Sequence, residues 1–330
     1  VYDVPIALGI LRESKQIASD GFGDTLFLGE LALDGHIRSV PGVLSMALFA
    51  RDGGYRRVVV PRENADEAAL VEGVEVYPVA SLQEAVAVLC SGTVKPYRIS
   101  HDLSSQKPDC RQGDFSEIKG QLFARRAMEV AAAGGHNILL IGSPGCGKTM
   151  LARRLPGIMP ALSFEEALEV TTIQSILGRL TPSQNLMTTR PFCDPHHTLS
   201  PVALVGGSFN ARPGMVSQAH HGVLFLDELT EFKREVLEVL RQPLEDGEVT
   251  ITRARSTITY PSRFMLVAAV NPCPCGYALD DRKECLCTDY QRERYWNKLS
   301  GPLMDRIDIQ VLVPSMTPDE LQHDLPVNHP

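Results

Sequence analysis

One stretch limits the folds open to this chain more than any other: Asn137 to Thr149, NILLIGSPGCGKT. The apolar run Ile138 to Ile141 reads as a buried strand. It feeds Gly142-Ser143-Pro144-Gly145-Cys146-Gly147-Lys148-Thr149, which fills every fixed position of the phosphate-loop pattern G-x-x-x-x-G-K-[ST]. Glycines at 142, 145 and 147 let the backbone turn tightly, so that successive N–H groups converge on phosphate oxygens while the next helix adds partial positive charge at its N-terminus. In this pattern Lys148 reaches the β- and γ-phosphates, and the Thr149 hydroxyl ligates Mg²⁺. The nucleotide-contacting stretch is read as Gly142 through Met150. A buried strand delivering its chain through such a loop into a helix defines an α/β sheet.

At 330 residues with 44% hydrophobic content, the chain can bury two cores. A formal net charge of −8 excludes a protein coated in basic surface, so any contact with DNA must be a local basic patch. No apolar run is long enough to span a bilayer and no signal sequence opens the chain, so no membrane partner and a cytoplasmic location are expected. There, eight cysteines stay reduced and serve metal binding or packing rather than disulfides. The chain opens at Val1 within an apolar pattern and reads as a piece of a longer protein.

Residues 1–92 form a first α/β domain, with strands expected over Thr25 to Leu33 and Arg57 to Pro61 and amphipathic helices over Gly42 to Asp52 and Ser81 to Cys90. Residues 93–113, with Pro96, Ser100, Ser104, Ser105 and Pro108, read as a linker. From 114 onward a second domain begins with a helical pattern from Phe115 to Ala133, stopped by Gly134-Gly135 before the phosphate-loop strand. Gly222 to Leu226 is an apolar run ending in Asp227-Glu228. Asp227 supports Mg²⁺ and Glu228 polarises the attacking water, a pairing that gains force from its distance behind a phosphate loop. Arg263 to Val270 is another buried strand, and it ends in Asn271, placed to orient water at the carboxyl edge of a parallel sheet. Arg306, in Gly301 to Asp308, stands between two acids, Asp305 and Asp308, with which it could pair locally.

Phosphate loop, Asp-Glu strand, strand-terminal Asn and late Asp-Arg, in that order, resemble an AAA+ ATPase. The residues between them are more specific. Pro195-His-His-Thr-Leu-Ser200, Val205-Gly-Gly, Arg212-Pro-Gly, Gln218 to Leu229, Asn271-Pro-Cys-Pro-Cys-Gly276 and Ser300 to Asp308 resemble the magnesium-chelatase-like ComM (YifB) family. Residues 28–69 and 74–89 resemble the Lon-protease-like domain that precedes the ATPase module in that family. The resemblance implies an AAA+ module, a parallel sheet flanked by helices with a β-hairpin before the sensor strand, behind a partial Lon-like domain whose opening half is absent. It implies ATP and Mg²⁺ as cofactors and a hexameric ring that acts on branched, double- or single-stranded DNA as a branch-migration helicase of natural transformation. Arg306 becomes the arginine finger that acts on a neighbour's nucleotide. Where the Lon nucleophile and lysine would fall stand Ile6 and Leu44, so peptide hydrolysis is not expected and the domain is read as a scaffold or partner-binding module. Cys193-Asp194 stands where the resemblance implies a basic residue, and the family's helical lid, with its second sensor arginine, would follow about residue 315.

Three features carry rival readings. Val249 to Tyr260 alternates apolar and polar residues, giving a hairpin with Arg253 and Arg255 near its tip; in a ring these would grip DNA phosphates, and otherwise they line a solvated or subunit-facing hairpin. Cys273, Cys275, Cys285 and Cys287 form two C-x-C pairs that could hold a structural Zn²⁺, against reduced thiols or a disulfide. His196-His197 and His220-His221 are adjacent pairs whose side chains diverge, which suits structural hydrogen bonds better than chelation. For function, the rival to a DNA motor is a chelatase-type remodelling ATPase acting on a protein partner, and a third reading is an adaptor that uses ATP only to assemble.

Overall fold

A computed structural model describes residues 2–17, 22–91, 94–98, 113–180, 186–207, 211–253, 256–280 and 282–316. The chain forms two compact units that are discontinuous in sequence: 1–107 with 164–187, and 108–163 with 188–330. Among the described residues, no helix is long and apolar enough to cross a membrane.

The first unit is built on a parallel sheet in the order Thr25–Phe27, Arg57–Pro61, Glu75–Val79. Val58, Val59 and Val60 in the middle strand are all fully buried, as a continuous β-branched run must be when both faces of a parallel sheet are covered. The single strand expected over Thr25 to Leu33 is divided. Gly29 takes φ +145°, with room for no side chain because a Cβ there would lie 2.6 Å from Ile37 Cγ2. The chain then turns into a small antiparallel pair, Glu30–Leu31 with Ile37–Arg38. Helices Val43–Asp52 and Leu82–Ser91 fall where the periodicity puts them. Helix Asp3–Glu13 and strand Glu75–Val79 are additions to that reading.

Helix Phe164–Ile176 also belongs to this unit, where it packs on Val43–Asp52. Beneath it the buried Glu67 carboxylate accepts hydrogen bonds from Asn64 Nδ2 at 2.6 Å and Ser175 Oγ at 2.7 Å. Ile6 lies exposed on helix Asp3–Glu13, and Leu44 is fully buried, so neither offers a nucleophile or a base.

The second unit carries a five-stranded, all-parallel sheet in the order Ile309–Leu312, Ile138–Ile141, Met265–Val270, Val223–Leu226, Phe192–Cys193. Its central strands are apolar throughout because helices cover both faces; Leu139, Leu140, Val267 and Leu224 have no exposed surface. Helix Leu122–Gly134 ends on Gly135 in the left-handed region (φ +66°), which lets the chain reverse directly into the phosphate-loop strand. Asp114 and Glu117 form a capping box on a short turn at Phe115–Glu117, so the helix expected from Phe115 starts only at Leu122. The hairpin Glu248–Arg253 with Ser256–Pro261 precedes Met265–Val270, with Arg253 paired to Ser256 at its closed end. Arg255 and the side chain of Arg253 lie outside the described residues.

Candidate nucleotide site and four-cysteine centre

Sheet order explains why residues far apart in sequence meet. Strand Met265–Val270 lies between Ile138–Ile141 and Val223–Leu226, with Val270 opposite Ile141 and Ala268 opposite Leu226. The residues that follow these strands, Gly142, Asn271 and Asp227, therefore emerge side by side at the carboxyl edge, where parallel sheets bind ligands.

The loop is shaped by its glycines. Gly145 and Gly147 adopt φ +79° and +97°, and a Cβ on Gly142 would lie 2.3 Å from Val313 O and 2.7 Å from Cys146 Sγ. Lys148 is nearly buried. Its Nζ donates to Gly142 O at 2.6 Å, Ser143 O at 3.0 Å and Asn271 Oδ1 at 3.2 Å, so the ammonium is drawn onto the loop it would share with a phosphate. Thr149 Oγ1 donates to Asp227 Oδ2 at 2.8 Å. Hydroxyl and carboxylate, held together, are the hard oxygen donors that suit Mg²⁺. Pro144, Gly145, Gly147, Lys148, Thr149, Met150, Asp227, Glu228 and Asn271 line one cavity of about 430 Å³, within the range of nucleotide-sized sites. This donor set fits MgATP: main-chain N–H groups and one ammonium for the phosphates, a hydroxyl–carboxylate pair for the metal. Cys146 is buried in the loop. Burial pushes its thiol above the usual range and outweighs the opposing charge of Lys148, so it stays protonated and unreactive.

Glu228 stands in the left-handed region at φ +52°, its backbone N–H donating to Asp227 Oδ1 at 2.9 Å. Such a conformation costs a non-glycine residue of order 1 kcal/mol and aims the side chain away from the strand direction. Its carboxylate lies 3.6 Å from His197 Nδ1, and the rings of His196 and His197 are 4.1 Å apart. His197 was not singled out at this site by the sequence, since the contact joins a loop to a strand end. His196 Nδ1 meets Thr198 Oγ1 at 2.9 Å, and His220 Nδ1 accepts from the Arg263 backbone N–H at 3.0 Å, but the adjacent side chains do not diverge as expected: the rings of His220 and His221 lie 3.9 Å apart. Asp194 pairs with Arg153 at 2.8 Å.

Arg306 is not brought to this cavity. It pairs with neither Asp305 nor Asp308, as the local reading allowed, because Asp308 accepts from the Asn137 backbone N–H at 2.8 Å and the guanidinium turns instead to Glu245 on helix Arg241–Asp246. Arg306 O accepts from Asn137 Nδ2 at 2.8 Å, which fixes the residue at the amino edge of the sheet. Between that edge and the phosphate loop runs the length of strand Ile138–Ile141, on the order of 13 Å for four residues.

Past Asn271 the chain builds a second centre. Cys273 Sγ lies 3.3 Å from Cys275 Sγ and 3.6 Å from Cys285 Sγ, Cys275 and Cys285 are also 3.6 Å apart, and the four sulfurs, Cys287 included, all lie within 4.8 Å of one another. A tetrahedral metal with sulfur bonds of about 2.3 Å has sulfur–sulfur edges of about 3.8 Å, so the donor set fits Zn²⁺. The Tyr277 backbone N–H lowers the Cys275 thiol to about 6, toward the thiolate form that binds metal. The rest of the loop is pinned by Trp296 Nε1 donating to Pro272 O at 3.1 Å and by a Thr288–Gln291 capping box that starts helix Asp289–Trp296.

Comparison with known proteins agrees with this architecture. The family described as "Magnesium chelatase, subunit ChlI" matches residues 114–321, and "Subunit ChlI of Mg-chelatase" matches residues 1–64. An uncharacterized protein of Mycobacterium tuberculosis is 47% identical over 94% of this chain and 61% of its own length. YifB of Escherichia coli is 44% identical over 96% and 61%, and the competence protein ComM of Haemophilus influenzae 41% identical over 98% and 63%. The chain belongs to the magnesium-chelatase-like family, within the branch that includes ComM and YifB. It spans about three-fifths of the length of these relatives.

Proposed function

We propose that the chain hydrolyses ATP as one subunit of a ring motor that acts on DNA, as a branch-migration helicase serving recombination during competence. The observation that carries the reading is the separation of parts: Lys148, Thr149, Asp227, Glu228 and Asn271 gather at the carboxyl edge of the sheet while Arg306 stands at the amino edge. Among the described residues, the lining of this cavity includes no arginine, and we take the cation that stabilises charge in phosphoryl transfer to come from the next subunit.

Bound MgATP would supply the phosphoanhydride that is cleaved. Lys148 and the loop N–H groups neutralise phosphate charge, and Thr149 with Asp227 would hold Mg²⁺. Glu228 takes a proton from water, and Asn271 orients it. Arg253 and Arg255, which the sequence pattern puts near a hairpin tip, are proposed to meet DNA through backbone charge with little sequence preference. Cys273, Cys275, Cys285 and Cys287 are proposed to hold Zn²⁺. The first unit is proposed to be a Lon-like scaffold that recruits a protein partner, with the whole assembly cytoplasmic.

The relative named a competence protein favours DNA as the substrate, and the family description after magnesium chelatase keeps the second reading in play, a remodelling ATPase acting on a protein. Measuring ATP hydrolysis with branched, double-stranded and single-stranded DNA separates them. DNA should raise turnover severalfold, branched DNA most. Turnover indifferent to every DNA, yet raised by a protein partner, would replace the motor with the remodelling ATPase.

A further inference from the structure

The loop that holds the four cysteines is an unusual piece of chain. Residues 272–280 and 282–288 include no helix or strand, and two of the large apolar side chains, Leu279 and Leu286, are 55% and 85% exposed. Cys273, fully buried, is the loop's anchor at one end. A segment with so little core has no hydrophobic reason to keep one conformation, and a tetrahedral metal is the kind of staple that supplies one.

The same loop touches the nucleotide site at three points. Its first residue follows Asn271, whose side chain is engaged by Lys148 Nζ at 3.2 Å. Gly276, at φ +87°, lies against the phosphate loop so closely that a Cβ there would be 2.6 Å from Pro144 Cδ and 2.8 Å from Pro144 Cγ. Asp280 accepts from Ser315 Oγ at 2.8 Å, and the Ser143 side chain adjoins its carboxylate and helps to hold it below the usual carboxylate range. Ser143 is itself nearly buried. Pro144 is thus packed against, and Ser143 adjoined by, the cysteine loop, while Asn271 is its covalent neighbour. Cys275 and Cys287 also line a cavity of about 790 Å³ whose other walls include Glu228 and Asn271, so the two centres share residues.

We propose that the four-cysteine centre, loaded with Zn²⁺, is a clamp on the nucleotide site: it fixes the loop that sets the separation of the phosphate loop from Asn271, so tight nucleotide binding requires the metal. The inference rests on the reading of Gly142–Thr149 and Asn271 as a nucleotide site. Chemically, the metal takes no part in hydrolysis. Its effect passes through Gly276 against Pro144 and through Asp280 to Ser143, and it shows as affinity.

The experiment uses the full chain, with thiols kept reduced. Metal content is measured first, then the affinity for a fluorescent ADP analogue with Mg²⁺, before and after zinc is stripped by a chelator that is removed before Mg²⁺ is restored. One zinc per chain is expected, with a loss of affinity of at least about tenfold on stripping and recovery on adding Zn²⁺ alone. Asp280→Asn guards against mere unfolding: it should keep one zinc per chain yet bind the analogue severalfold more weakly. Stripped protein that binds as tightly as loaded protein overturns the clamp, as does purified protein without stoichiometric zinc. An Asp280→Asn chain with unchanged affinity overturns the route through Ser143. If the zinc-loaded chain does not bind the analogue at all, it is the nucleotide reading that fails, and the clamp with it.

Discussion

Both compact units are parallel α/β structures with a middle strand buried on both faces, yet their polar groups are arranged in opposite ways. In the first, the buried carboxylate of Glu67 accepts from Asn64, Ser175 and the Leu44 backbone N–H, so its acceptors are taken up within the fold. In the second, Lys148 donates to the loop carbonyls and to Asn271, and Thr149 to Asp227, at the rim of a cavity, through contacts that a ligand with phosphates and Mg²⁺ could exchange for its own. Fold class is common to the two; what differs is whether a strand ends in a closed polar cluster or an open one. Chemistry is built at the open ends.

The sharpest way to break this comparison is Arg306→Ala. If the second unit is half of a shared site, the variant should bind a fluorescent nucleotide normally while turnover falls by about 10³ to 10⁵. Loss of binding would make Arg306 a local structural residue, acting through Glu245 and Asn137. The converse test asks whether the first unit can be given chemistry. Leu44→Lys introduces the residue type of a protease base, but the position is fully buried, so the variant should lose about 3 to 5 kcal/mol of stability and gain no peptidase activity. Urea unfolding together with a casein-degradation assay measures both. Next in size, Lys148→Ala should weaken nucleotide binding by about 10²-fold, near 3 kcal/mol, by deleting the one ammonium in the cavity lining. An affinity within twofold of the parent would mean that the loop N–H groups suffice.

How much of this was legible in the sequence follows from where the information lies. Ile138–Ile141, Val223–Leu226 and Met265–Val270 could be read because each is an apolar run that ends abruptly in a polar or glycine residue, a local pattern with a physical cause. The two C-x-C pairs pointed to one another because cysteine is scarce and thiolates gather on metals. Contacts set by tertiary geometry were not legible. No spacing rule joins Arg306 to Glu245, His197 to Glu228 or Asp280 to Ser143, since each pairs a loop with an element fixed by sheet order. Helix Phe164–Ile176, which follows the phosphate-loop helix in sequence, packs instead with the first unit. Gly29 divided a strand that alternation made continuous, for want of room rather than for want of pattern.

The smallest effect tests the closed cluster itself. Burial raises the Glu67 pKa above its ordinary 4.5, and the hydrogen bonds from Ser175, Asn64 and the Leu44 N–H oppose that shift without cancelling it. With the folded value above the unfolded one, the protonated carboxyl contributes stability that is fully present below pH 4.5 and is lost as pH rises through the raised folded value. Glu67→Gln imitates the protonated form and does not titrate. The parent should therefore match the variant most closely near pH 4 and fall behind it toward pH 7, by on the order of 1 kcal/mol or less, because three donors still offset much of the burial. Urea midpoints for the two proteins at a series of pH values measure the difference. A parent that gains on the variant as pH rises would mean that the donors outweigh burial, and that the first unit holds its carboxylate as favourably as the second is proposed to hold a metal-bound one.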